Sequence, residues 1–116
     1  MDIKIIKDSI NIKELKEMAR DGFGDVIKAV VDIAQGIMAV GGELHADEEV
    51  LLMEEVRSKR QDTWGINLYL EKSGGDFIEF DSMINLKPHS GNRSRGVEDS
   101  KVRDKIKKIV KKLVLK

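Results

Sequence analysis

Hydrophobic residues in this chain follow two periods, and the switches between them outline its elements. "IKII" (3–6) is β-branched and reads as a short strand. Asn11 then opens a helix: its side chain can cap free amides, Glu14 stands three residues on, and Ile12, Leu15 and Ala19 form an inner stripe. "RDGFG" ends that helix, with Gly22 able to take the left-handed cap conformation and Phe23 to pack back. Residues 25–42 support two readings. Val26, Ile27, Val30, Val31, Ala34, Ile37 and Met38 fall at helical spacing, yet the first half is dense in β-branched residues. Gly36, Gly41 and Gly42 would also weaken a helix, so a hairpin turning at Gln35-Gly36 is favoured.

From Asp47 the pattern turns helical, with Val50, Met53 and Val56 along one side and acids in the first turn. "TWGINLYLE" alternates: Trp64, Ile66, Leu68 and Leu70 point one way, Asn67, Tyr69 and Glu71 the other. After the turn "KSGGD", the run "FIEFDSMINL" (77–86) reads as the partner strand, stopped by Pro88. A loop to Gly96 leads to a last helix from about Asp99, whose buried stripe is Val102, Ile106, Ile109, Val110 and Leu113. The order is β-α-ββ-α-ββ-α. It predicts a single α+β domain over 1–116, a two-layer sandwich with an antiparallel sheet of two hairpins and helices on one face.

Composition narrows the function. The 41% apolar fraction suffices for a core, and no run reaches the ~18 apolar residues of a membrane span. "MDIKIIKDSI" contains acids and no small-residue cleavage site, so a soluble, cytoplasmic protein is expected. With no cysteine, disulfides, thiolate catalysis and cysteine-ligated zinc are excluded. Charged residues make up 36% and glutamine occurs twice, which fits a thermophile. Net charge is zero but uneven. Residues 101–116 hold eight Lys or Arg against one Asp, a net +7, and residues 1–100 carry the balancing −7. Such asymmetry points to contact with nucleic acid or a membrane surface, or to pairing with an acidic surface.

Four segments carry candidate chemistry. In "GGELHADEE" (41–49), alternation puts Glu43 and His45 on one face with Asp47 beyond, so these three are candidates for acid–base catalysis. With His89 they could also ligate a divalent metal. The plainer alternative makes Asp47 a helix cap and His45 a junction hydrogen-bonder. In "PHSGNRSRG" (88–96), His89, Ser90, Asn92, Arg93 and Arg95 offer amides, hydroxyl and positive charge to a phosphate or carboxylate. An ordinary surface loop would look the same. Asn67 and Asn85, one in each strand of the second hairpin, could line a pocket or simply face water. Lys105, Lys107, Lys108, Lys111 and Lys112 cover the polar side of the last helix. They suit a phosphate backbone without sequence preference, or the acidic helix at 47–55, within the chain or across a dimer interface. A solvated lysine face is the simpler account.

Three stretches carry a resemblance: "VVDI…GIMAVGGELHADEE", "WGINLY" and "FIEFDSMINLKPHSGNRS". Over roughly residues 24–97 the chain resembles a small family of bacterial and archaeal conserved hypothetical proteins with no assigned function. The resemblance implies a hairpin at 25–42 and one domain holding all three stretches; it brings no catalytic residues. Two functions follow as expectations. A small anionic ligand would bind where the 43–47 junction meets the 89–95 loop, with Arg93 and Arg95 holding its charge and His45 or Glu43 moving a proton. The other is a non-enzymatic module that self-associates or binds nucleic acid through the lysine helix.

Overall fold

The computed structural model describes residues 2–116. Strands β1 (Lys4–Ile6), β3 (Val26–Asp32), β4 (Ile37–Val40), β5 (Thr63–Tyr69) and β6 (Ile78–Glu79) form an antiparallel sheet in the order β1-β4-β3-β5-β6. β3 is its centre, paired with β5 over seven residues from Val26↔Tyr69 to Asp32↔Thr63. A separate parallel pair joins β2 (Ile10–Asn11) to β7 (Val114–Leu115), tying the two ends of the fold together. Helices α1 (Ile12–Arg20), α2 (His45–Val56) and α3 (Ser100–Leu113) complete the α+β fold. Among the described residues no helix is long and apolar enough to cross a membrane.

Residues 25–42 form the hairpin. Four residues, 33–36, make the turn instead of two, because the buried Asp32 carboxylate organises it. Its Oδ1 accepts from the Ala34 and Gln35 amides, and its Oδ2 from Gln35 Nε2 and Ser58 Oγ. Gly36 closes the turn at φ 69°, a conformation that glycine adopts without strain.

α1 and α3 cover one face of the sheet. Leu15 and Ala19 from α1, with Ile106, Val110 and Leu113 from α3, pack on Ala29, Val31, Met38, Val40, Trp64, Ile66 and Leu68. Local chemistry starts both helices: Asn11 Oδ1 accepts from the Lys13 amide and Asp99 Oδ1 from the Lys101 amide.

α2 departs from the expected single-sided arrangement by packing on the opposite face, through Leu52 against Val30, Ile37, Ala39 and Ile84. The reason lies in β3 and β4. Their runs Ala29–Val31 and Ile37–Val40 are apolar at every position, so both faces need cover. α2 is also turned relative to its expected orientation. It buries His45, Glu48, Glu49 and Leu52, while Val50 and Met53 stand 50% and 42% exposed.

Two further expectations change. The strand at 77–86 shrinks to Ile78–Glu79, because Ser82 Oγ accepts from the Ile84 amide and starts a 3-10 turn at Met83–Asn85. After α1, Gly24 and not Gly22 has the positive φ, and Phe23 is exposed, with Lys28 Nζ 5.4 Å from its ring centroid.

Candidate functional site

The junction at 43–47 comes apart in the structure. Glu43 and Asp47 face solvent; His45 alone turns inward, beneath α2. Nor does Asp47 cap the helix: the cap position is Leu44, which makes no side-chain bond. His45 Nε2 lies 2.8 Å from the Ile66 carbonyl. A carbonyl only accepts, so Nε2 carries the proton and the neutral ring has one defined tautomer. Burial lowers the His45 pKa, and the Lys28 charge adds to this; the Ile66 bond, Asp81 and Asn67 oppose it. Gly65 makes the room. A Cβ there would sit 2.5 Å from Ser82 and 3.1 Å from His45 Cδ2.

Glu48 lies one turn along, fully buried. Its Oε2 accepts from the Gly42 amide at 2.9 Å, and among the described residues its Oε1 has no partner. Burial pushes its pKa well above the usual carboxylate value, against the pull of that amide and of Lys28. Glu49 points the same way and accepts from Thr63 Oγ1 and from Arg60.

The loop following β6 sends Ile84 to this face, and most of the loop's polar side chains hold the loop itself. Asn85 Oδ1 accepts from the Gly65 amide at 2.8 Å, and its Nδ2 donates to the carbonyls of Gly65 and Arg95. Asn92 Nδ2 reaches the carbonyls of Asn85, Ser94 and Gly96, and its Oδ1 takes the Glu98 amide. Asn67 bonds Glu79 and the Asp81 carbonyl. These three asparagines are therefore structural fasteners, and neither Asn67 nor Asn85 lines the groove described below.

Arg95 Nε donates to Asp81 Oδ1 at 2.7 Å, and the Asp81 charge opposes the lowering of the His45 pKa. His89, Ser90 and Arg93 are exposed on the outer part of the loop. Among the described residues no three His, Asp or Glu side chains gather as a metal-holding set, so Glu43, His45, Asp47 and His89 do not form the expected site.

Sequence reasoning missed Lys87. It is buried against Trp64, its Nζ 4.8 Å from the ring centroid, and it donates to the carbonyls of Arg60 and Ile84. Burial, helped by the Arg60 charge, lowers its pKa to about 8. No local pattern marks it, because both acceptors belong to turns that only the fold assembles.

Also missed was a groove of about 600 Å³ on the other side of the sheet, between α3, β7 and the turn into β6. Phe77, Val110 and Val114 floor it, all buried, with Ile78 and Leu115 beside them. Lys107, Lys111 and Lys116 rim it, and Lys116 Nζ stands 4.5 Å from the Phe77 ring centroid. The signal was the lysine side of α3, but the apolar floor comes from distant segments. Every lysine of α3 is exposed, and among the described residues none is in an ion pair. The acidic α2 is on the opposite face, so the two helices do not meet within the chain.

No curated protein and no solved structure matches the chain. A family model described as "Protein of unknown function (DUF5674)" matches residues 4–113, nearly the whole length, and it takes in both the buried polar cluster and most of the groove. The chain belongs to that family.

Proposed function

We propose that the chain, acting as one α+β domain over residues 1–116, is a non-enzymatic interaction module. Its groove between α3 and β6–β7 holds an anionic, amphipathic partner. One observation carries this reading: an apolar floor of Phe77, Val110 and Val114 lies under three lysines that, among the described residues, have no acid of their own. Burying apolar surface in the groove contributes about 25 cal/mol per Å², and the lysines select for negative charge at its mouth. The rival anion site at 43–47 and 89–95 has less to offer, since Arg95 already serves Asp81 and His45 its own backbone partner.

A fitting probe is 1-anilinonaphthalene-8-sulfonate, an apolar anion. Followed by amide chemical shifts, it is expected to perturb Phe77, Val110 and Val114, and to bind more weakly in salt and in Lys107→Glu/Lys111→Glu. Shifts confined to other surfaces, or none at millimolar probe, would refute the groove. A single-stranded oligonucleotide that perturbs Lys101, Lys105 and Lys108 and leaves the floor unmoved would replace this reading with nucleic-acid binding.

A further inference from the structure

We infer that the partner of this groove is a second copy of the chain, presenting the outward face of α2. The inference rests on the reading that the groove takes an anionic amphipathic partner, and identifies that partner.

The observation behind it is the inverted helix. α2 hides Glu48 and Glu49 and turns Ala46, Val50 and Met53 to solvent, at i, i+4 and i+7. A helix that only covered its own sheet would do the reverse. Asp47 and Glu54 flank that ridge on the helix surface, both exposed and, among the described residues, unpaired. The outward face is thus an apolar ridge with acids alongside, and the groove is an apolar trough with lysines at its rim. Shape class and charge sign both complement.

The placement of these two surfaces decides the kind of assembly. They lie on opposite faces of one sheet, so no copy can satisfy itself. Each copy offers one ridge and one trough, so the contact is heterologous and runs head to tail, closing into a ring or continuing as an open row. One helix face falls below the ~1,600 Å² of a standard interface, so the association is weak and dynamic.

Two double variants at exposed positions separate the surfaces: Val50→Asp/Met53→Asp removes the ridge, and Lys107→Glu/Lys111→Glu reverses the rim. Sedimentation velocity of the unmodified chain should show mass rising with concentration and falling as salt screens the contact. Each variant alone should stay monomeric. Mixed in equal amounts they should form a dimer and stop there, since one keeps only its trough and the other only its ridge. A monomeric unmodified chain overturns the inference, as does a mixture that stays monomeric. So does a rim variant that still dimerises alone, which would mark a ridge-to-ridge contact. Lys107→Ala/Lys111→Ala, with native amide shifts elsewhere, guards against misfolding of the charge-reversed form. If the naphthalene sulfonate still occupies the groove of a monomeric chain, the groove stands and only its partner is wrong; if it does not, both fall.

Discussion

The two faces of the sheet are built from different materials. Under α1 and α3 the contacts are almost wholly apolar, with Leu15, Ile66, Leu68, Ile106 and Leu113 fully shielded from water. Under α2 the apolar patch is small, and Asp32, His45, Glu48, Glu49, Thr63, Ser82 and Asn85 are buried around it. The first face draws its stability from area removed from water. The second depends on each polar group finding its partner, and there a single missing bond exposes a full desolvation cost. An apolar face tolerates approximate packing. A polar one specifies a single arrangement.

The apolar face is most vulnerable at Ile106. Ile106→Ala should destabilise by about 2–5 kcal/mol in denaturant unfolding, the usual range for a buried aliphatic truncation. On the polar face, Asn85→Ala removes little apolar area but strands the amide and carbonyl of Gly65. A loss of about 1–3 kcal/mol is expected, and a loss under 0.5 kcal/mol, read as about zero, would show that water replaces the amide.

Acidity sharpens the contrast. Glu48 holds its proton more tightly folded than unfolded, so its contribution is complete below pH 4.5 and declines as pH rises past that value. His45 resists protonation when folded, so its contribution is complete above pH 6.5 and declines as pH falls below it. Where both groups titrate the two slopes oppose each other, each at most about 1.4 kcal/mol per pH unit. Glu48→Gln keeps an acceptor for the Gly42 amide and should remove the Glu48 slope, so that in denaturant unfolding it gains on the unmodified chain as pH rises past 4.5. The smallest effect belongs to the surface. The Lys4–Glu14 pair is exposed at both ends, so Lys4→Ala should cost under about 0.5 kcal/mol, and nothing measurable in high salt.

How much the sequence disclosed follows the same division. Asn11 and Asp99 were readable as caps because a cap bonds an amide only two residues away. The stripes of α1 and α3 and the alternation of Trp64, Ile66, Leu68 and Leu70 were readable because an apolar face writes its period into the chain. The orientation of α2 was not. Val50, Met53 and Val56 make a plausible inner stripe, and what turns the helix away from it is remote: Gly65 opening space for His45, the Gly42 amide waiting for Glu48, and Thr63 for Glu49. Asn67 and Asn85 are visible in the sequence as polar positions of the second hairpin, but their roles lie in bonds to residues ten or more positions away. The groove escaped because its floor joins Phe77 to Val110 and Val114 across the sequence.

β6 is only two residues long and leaves the rest of β5 without a neighbouring strand on the side away from β3. At Gly65 the side-chain amide of Asn85 offers the donor and acceptor that a neighbouring strand would have offered. A free edge of that kind is a template on which another chain can extend a sheet, and this one is occupied by a plug that cannot itself be extended. Asn85 thus fills the edge position at Gly65 where another chain could otherwise pair.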